Sequence, residues 1–280
     1  MSLVVRTPDP PFARPREFLR AAGLDIRRSR RLALELAKRD IRSQHRHRLL
    51  GAAVVVLPPL AMTAVGLGFR RAGLLSVDPQ GVPYGLFVLL GVILWSTFID
   101  ALNAPILGLQ AEQRLLSRMG SPAEAVVLGK LGQVVLNFLL RTLLLAVAFS
   151  WYGASVPATA VLAPLGVAAL IALGVAVGLV LAPLNLLYRD VSRVLFTFTT
   201  FWLFLSPVYF PPPEHGTMAA IVRLNPVTPL ITGARALALT GDLGDAARAL
   251  PMALGTLLLL LGAWVYARVA LPVAIEQATD

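Results

Sequence analysis

The stretch YGLFVLLGVILWSTFIDALNAPIL, residues 84–107, is 24 residues long and carries a single charge, on Asp100. About 20 apolar residues in succession are enough for an α-helix to cross the ~30 Å hydrocarbon core of a bilayer. A segment that crosses lipid must satisfy its backbone hydrogen bonds internally, which a helix does. The stretch therefore predicts a transmembrane helix.

The composition of the whole chain agrees with a membrane location. Hydrophobic residues make up 57% of the 280 residues and charged residues 14%, whereas soluble domains are about 45–50% apolar. The chain has no cysteine, which excludes disulfides and thiolate metal sites. We expect an all-α integral membrane protein with one transmembrane domain, residues 51–272, and six spans, at 52–69, 84–107, 125–151, 158–184, 194–210 and 252–271.

The distribution of Lys and Arg orients these spans. Thirteen of the 25 basic residues precede Gly51, and a cytoplasmic N-terminus places 19 of the 25 inside and five outside. Cytoplasmic loops of membrane proteins carry such an excess. We therefore expect a cytoplasmic segment at 1–50 and a cytoplasmic tail at 273–280, and we attribute the net charge of +10 to orientation, not to nucleic-acid binding. Residues 1–50 lack the apolar core of a signal peptide, so no cleaved signal is expected.

Within the N-terminal segment, residues 24–50 have the spacing of a basic amphipathic helix. Ala33, Leu36, Ala37 and Ile41 recur at intervals of three and four residues, which places them on one helical face. We expect this interfacial helix to lie along the inner surface of the membrane. Attraction to anionic lipid and contact with a dedicated protein partner both explain its charge.

The stretch LNPVTPLI, residues 224–231, breaks an otherwise apolar region twice. Proline disfavours helix in the residue before it, so Pro226 predicts that a first short helix ends near Asn225. Thr228 is then expected to be the N-cap of a second helix, with Pro229 as its first residue.

These two short helices are expected at 217–223 and from Pro229 to about Leu239. At 1.5 Å per residue they are about 10 and 16 Å long, too short to cross a bilayer. Residues 211–240 therefore predict a re-entrant helical hairpin on the outer side, before the last span.

The sequence offers little to a catalytic interpretation. Three histidines are present, and none has the neighbours of a metal site. The Gly129-Lys130 pair lacks the spacing of a phosphate-binding loop. We predict no catalytic residue, no metal and no cofactor in this chain, so any ATP hydrolysis must come from another subunit.

Two charges fall inside predicted spans, Asp100 and Arg141. Intramembrane charges are costly and are the first functional candidates in a membrane protein. Helical rise places the two residues at different depths, so we do not expect a direct pair. We expect Arg141 to snorkel to the outer interface, with contact to an anionic substrate as the alternative. For Asp100, with Asn103 one turn away, we expect a buried structural hydrogen bond and not a proton relay.

The segment 109–124 has the character of a cytoplasmic coupling loop. A short amphipathic helix over 112–119 is broken by Gly120, and Ser121 is expected to cap the next span. A polar helix across the ends of two spans suits a docking element, and an ordinary connector explains the pattern equally well.

Five stretches, in order, carry a resemblance to a known family. They are RDIRSQHRHRLLG at 39–51, PYGLFVLLGVILWSTFIDALN at 83–103, LLSRMGSPAEAVVLGKL at 115–131, LNLLYRDVSRVL at 184–195 and LNPVTPLI, with Arg235 following. The chain resembles the membrane subunits of ABC-2 type exporters, specifically those that export lipid-linked polysaccharides such as O-antigen, capsule or teichoic acid.

The resemblance implies a homodimer above two copies of a separate ATP-binding subunit, which binds ATP and Mg. It implies coupling to that subunit through Glu112, Arg114, Arg118, Tyr188, Arg189 and Asp190. It assigns the outer hairpin to Asn225, Pro226, Thr228, Pro229 and Arg235. An aromatic-lined channel would use Trp95, Phe98, Phe201 and Trp202, together with Arg141, Asp100 and Asn103, although simple packing also explains each aromatic residue.

The implied location is the bacterial inner membrane, with several passes through it. Further partners would be the lipid-linked glycan, membrane lipids and periplasmic accessory proteins, and no nucleic acid is expected. Two alternatives stay open: an ABC-2 exporter of drugs or small lipids, and an integral membrane enzyme that modifies lipids or glycans. The absence of paired carboxylates or a histidine cluster argues against the enzyme.

Overall fold

The computed structural model describes residues 29–42, 51–74, 81–113, 116–117, 123–188, 190–213 and 215–277. Every regular element in these ranges is helical, which confirms the all-α prediction. Helix α1 comprises residues 29–42. It is followed by α2 (Gly51–Arg71), α3 (Tyr84–Ala111), α4 (Ala123–Tyr152), a 3₁₀ turn (Ala158–Leu162) that leads into α5 (Ala163–Leu187), α6 (Val191–Phe204), α7 (Thr217–Leu224), α8 (Val227–Arg235), a π-helical turn (Ala236–Thr240), α9 (Leu243–Arg248) and α10 (Leu250–Gln277).

Five helical stretches in the described part of the chain are long and apolar enough to cross a membrane. They are Ala53–Arg71, Tyr84–Ala111, Ala123–Tyr152, Ala158–Leu187 and Leu243–Gln277. The predicted span at 194–210 is shorter as a helix, because α6 has 14 residues and turns follow it. At 1.5 Å per residue α6 is about 21 Å long.

Helix α3 lies at the centre of the bundle. It packs against α2, α4, α5 and the hairpin helix α8, and most of its side chains are buried on all sides. Two glycines of α5 allow the closest approach: a Cβ at Gly174 would lie 2.7 Å from the carbonyl oxygen of Phe98, and one at Gly178 would meet the carbonyl of Leu102. Small residues at such positions are typical of membrane helix packing, because dispersion contacts replace the hydrophobic driving force there.

Helix α1 packs on the start of α4. Ala33 and Leu36 are buried, and a Cβ at Gly129 of α4 would lie 3.1 Å from the Cβ of Leu36. The predicted amphipathic helix is thus confirmed over 29–42, and its apolar face contacts protein. The rest of the predicted 24–50 helix lies outside the described residues.

The hairpin region contains the two predicted short helices, α7 and α8, with the break at Asn225 and Pro226. The predicted cap is wrong. Helix α8 begins at Val227, and Thr228 lies in its first turn with a buried hydroxyl that has no hydrogen-bond partner. The helix begins two residues earlier than predicted, with Pro226 at the N-cap position, and the Oδ1 atom of Asn225 accepts a hydrogen bond of 3.1 Å from the N–H of its first residue, Val227. Pro229 is compatible with this register, because the first four N–H groups of a helix have no helical acceptor.

Candidate transport and coupling sites

An ion pair lies in the middle of the bundle, between α3 and α4. Nη1 of Arg141 donates a hydrogen bond of 2.8 Å to Oδ2 of Asp100, and Nδ2 of Asn137 lies 3.3 Å from the same oxygen. Arg141 is 7% exposed. Both depth-based predictions for Arg141 are therefore wrong: it pairs with Asp100, and it does not snorkel to the outer interface. Asp100 accepts structural hydrogen bonds from Arg141 and Asn137, although its side chain is 27% exposed and not buried as predicted.

The packing of α3 against α4 explains why Asp100 and Arg141 meet, although they were predicted to lie at different depths. The contacts of Gly108 with Lys130 and of Asp100 with Arg141 show that α3 and α4 run antiparallel. Each Cα–Cβ bond tilts toward the N-terminus of its own helix. Gly108 lies beside Lys130, so Asp100 and Arg141 are eight and eleven residues from one shared level, about 12 and 16 Å at 1.5 Å per residue. The two side chains tilt toward each other, and the long arginine side chain closes the remaining gap. Asn103 lies one turn further in, half-buried.

Three of the four predicted channel aromatics form one cluster between α3 and α6. Ring centroids are 5.5 Å apart for Trp95 and Phe98, 5.3 Å for Phe98 and Trp202, and 6.0 Å for Trp95 and Trp202. Edge-to-face contacts of this kind stabilise a packed core. Phe201 is 67% exposed and lies outside the cluster. The structure thus separates three packed rings from one that is free to contact another molecule.

Asn225 joins the hairpin to the end of α6. Its Nδ2 donates to the Leu205 carbonyl at 3.2 Å and to Ser206 Oγ at 2.9 Å. Its Oδ1 accepts from Trp202 Nε1 at 3.1 Å, in addition to the bond from the Val227 N–H. The side chain is 7% exposed, so these bonds satisfy almost its full donor and acceptor capacity in a dry environment. The proline pattern identified Asn225 as a break, and nothing in the sequence indicated the partner Trp202.

Arg235 anchors the other end of α8. It is 5% exposed, its guanidinium carbon lies 3.8 Å from the ring centroid of Phe87, and Nη2 donates to the Val208 carbonyl at 3.3 Å. Gly91 on α3 makes room, because a Cβ there would collide with the guanidinium and lie 2.7 Å from the Val208 carbonyl oxygen. A glycine inside an apolar helix was the available signal for this close approach.

Three ion pairs tie the inner ends of the helices together. Arg39 of α1 pairs with Glu112 at the end of α3, Nζ of Lys130 lies 2.5 Å from Asp40, and Nε of Arg268 in α10 lies 2.5 Å from Glu124 in α4. The hydrogen bond to Glu112 raises the pKa of Arg39, against the opposing effect of burial. The sequence analysis identified Glu112 and missed its partner, because the two residues are 73 positions apart.

The second predicted coupling loop is held by Asn185, which is fully buried. Nδ2 of Asn185 donates to Gln110 Oε1 at 3.1 Å, and its Oδ1 accepts from the Ser192 N–H at 3.1 Å. These bonds join the inner ends of α3, α5 and α6. Tyr188 and Asp190 project from this loop and are exposed. The remaining predicted coupling residues, Arg114, Arg118 and Arg189, lie outside the described residues.

Within the described ranges, no group of three or more His, Asp or Glu side chains has the arrangement of a metal site. The polar interhelical contacts in these ranges lie at three levels: the helix ends that contain the predicted coupling loops, the middle of the bundle and the hairpin.

Comparison with known proteins identifies the family. Residues 31–239 match the ABC-2 type transporter family. The chain is also 25% identical, over 239 residues, to the O-antigen export system permease protein RfbA of Myxococcus xanthus, an alignment that covers 84% of this chain and 90% of that protein. The family match includes α2 to α8 and thus the central ion pair, both predicted coupling loops and the hairpin. The chain belongs to the ABC-2 type transporter family.

Proposed function

We propose that this chain is the membrane-spanning subunit of an ATP-driven exporter that moves a lipid-linked polysaccharide from the cytoplasm across the bacterial inner membrane. The observation that carries the proposal is the similarity to an O-antigen export permease along 84% of the chain. O-antigen, capsule and teichoic-acid polymers belong to the same chemical class of substrate.

The topology that goes with this proposal has six crossings and cytoplasmic termini. Helix α6 and the turns after it provide the fifth crossing, which a locally thinner bilayer accommodates. Helices α7 and α8 enter and leave the membrane on the outer side. Buried partners for the polar groups of Asn225 and Arg235 support this placement, since irregular backbone at membrane depth must be covered by protein.

The assembly that we propose is a homodimer with two ATP-binding subunits beneath it, which supply ATP and Mg. Helix α6 exposes Phe196 and Phe201, which are 75% and 67% exposed and suit contact with a second copy or a glycan. Periplasmic proteins that receive the polymer are further candidate partners.

Coupling to the ATP-binding subunits uses the inner face. Glu112 belongs to an ion pair that connects α1 with α3, and Tyr188 and Asp190 project from the loop held by Asn185. We assign Arg114, Arg118 and Arg189, in the same two loops, to this contact as well. A displacement of either loop would reach α3, because the first loop continues directly from the end of this helix and the second is bonded to Gln110 in its last turn.

Deletion of the gene tests the substrate. The proposal predicts loss of one surface glycan and accumulation of its lipid-linked form inside, with both changes reversed fully by the wild-type gene and only in part by Glu112→Arg. An unchanged glycan profile combined with increased drug sensitivity would contradict the polysaccharide and support an exporter of small molecules.

A further inference from the structure

Helix α2 contains two consecutive prolines, Pro58 and Pro59, in its inner half. Proline has no N–H, so the carbonyls four residues earlier, those of Val54 and Val55, lose their helical donors. An unpaired carbonyl inside a membrane costs free energy unless another donor reaches it.

Arg141 supplies a donor to one of these two carbonyls. Its Nε lies 3.5 Å from the Val55 oxygen, at the long end of hydrogen-bond distances, while its Nη1 is bonded to Asp100. One guanidinium thus connects the proline-weakened turn of α2 with α3 and α4. Pro59, whose missing N–H frees the Val55 carbonyl, faces the bundle, and Pro58 is exposed.

The outer half of α2 has separate attachments. A Cβ at Gly66 would lie 2.9 Å from the Tyr209 ring and 3.1 Å from Val88, and the Arg70 guanidinium lies 4.8 Å from the centroid of the Tyr84 ring. Between the two attachments, the Thr63 hydroxyl bonds to the Pro59 carbonyl at 2.7 Å. Such back-bonding bends helices.

We propose that Arg141 is a positioning residue that clamps the inner half of α2 to the bundle, across a hinge formed by Pro58 and Pro59. Release of the clamp frees the turns between Gly51 and Leu57, while the outer half keeps its own contacts. This inner half follows α1 after an interval of eight residues, 43–50. Helix α1 is tied to the coupling face by Arg39 and Asp40. The consequence for export, that movement at the coupling face opens the inner end of α2, rests on the proposed function; the hinge itself does not.

Spin labels on single cysteines test the hinge in the full-length protein in lipid, since the chain has no native cysteine. Val54 and Val65 are 49% and 50% exposed and flank the prolines. Arg141→Met should shift the label at residue 54 from its immobilised to its mobile spectral component and leave the label at residue 65 unchanged. An equal increase of the mobile component at both positions would overturn the proposal, and so would unchanged spectra at both.

A second substitution separates the clamp from general damage. Pro59→Ala restores a helical donor for the Val55 carbonyl, so in the Arg141→Met background it should return the label at residue 54 to its immobilised state. Pro58→Ala is the matched control, because it restores a donor only for Val54, which Arg141 does not contact. Rescue by Pro58→Ala to the same extent, or no rescue by Pro59→Ala, would contradict the clamp. These spectra do not depend on export, so failure of the hinge and failure of the proposed substrate are distinguishable.

Discussion

The hairpin and the inner face of this protein are held by different kinds of contact. At the hairpin, Asn225 and Arg235 are buried and bond largely to backbone carbonyls and neutral groups. At the inner face, Arg39 pairs with Glu112 while its own side chain is 52% exposed. The Asn225 amide has partners on both of its side-chain atoms, and such a buried, partnered group fixes one geometry because every alternative leaves it unsatisfied. Half-exposed ion pairs contribute about 1 kcal/mol or less and can be exchanged for water. The comparison indicates a rigid anchor at the hairpin and an exchangeable contact at Arg39, whereas the other two ion pairs, Lys130–Asp40 and Arg268–Glu124, are less exposed.

Loss of the Asn225 side chain should have the largest effect on stability. Asn225→Ala would leave Trp202 Nε1, the Val227 N–H and the Leu205 carbonyl without this partner. A buried polar group that loses its hydrogen-bond partner costs about 1–3 kcal/mol before the structure relaxes. We expect the free energy of unfolding to fall by about 3 kcal/mol. Thermal unfolding of the purified protein measures this. The neighbouring Leu224, which is 83% exposed, gives the control Leu224→Ala; equal losses for the two variants would contradict a rigid anchor.

Gly91→Ala should have the next largest effect. The added Cβ would collide with the Arg235 guanidinium and the Val208 carbonyl, and overpacking of this kind costs about 1–3 kcal/mol. Limited proteolysis should then cleave the hairpin faster than in the wild type. Gly262→Ala in α10, where a Cβ would meet nothing within 4 Å, is the matched control. A hairpin equally resistant in both variants would show that the fit at Gly91 does not hold it.

Charge reversal at the inner face should affect coupling more than folding. Glu112→Arg places like charges at Arg39, and we expect export to fall about five-fold while ATPase activity persists, as an interaction of about 1 kcal/mol allows. The double variant with Arg39→Glu restores opposite charges and should recover most export. If the Glu112→Arg variant exported at the wild-type rate, Glu112 would not be required for coupling.

Salt and pH should produce the smallest effects. Glu112 raises the pKa of Arg39, so this contribution is fully present below the pKa of the unfolded chain and is lost only as pH rises through the higher folded value. Stability from the pair should therefore stay constant between about pH 6 and about pH 9, since arginine titrates above about 12. Added salt should weaken the α1 contact measurably, and hydrogen exchange of α1 would report it. If hydrogen-exchange protection of α1 were lost when the pH alone is raised within this range, the Arg39–Glu112 pair could not be what holds α1.

The sequence was sufficient for the features that depend on local pattern. Apolar length identified the long helices, and proline chemistry located the break at Asn225 and Pro226. The cap was assigned to Thr228 because Ser and Thr are common caps, whereas Asn225, directly before the prolines, closes the turn with its own side chain. Helix α6 ends at Phe204 and not near 210, because turns at 205–208 begin the connection to Asn225.

The contacts between distant residues were not predictable from one sequence. Arg141 and Asp100 were identified as candidate functional charges, yet their pairing depends on the register of α3 against α4 and on side-chain tilt, which the span boundaries estimated from the sequence do not give. The partners of Glu112 and Arg235, Arg39 and Phe87, likewise lie on helices far away in the chain. Their chemistry was visible in the sequence, and their proximity was not.

ATP-dependent movement of a lipid-linked glycan into proteoliposomes tests the central claim most directly. The vesicles should contain the chain together with its ATP-binding subunit, oriented with the coupling face outward. The account predicts that glycan added outside becomes enzyme-protected inside with ATP and Mg and not with a non-hydrolysable analogue, and that the Glu112→Arg variant protects about five-fold less. A complex that hydrolyses ATP at the normal rate without protecting any glycan would contradict it.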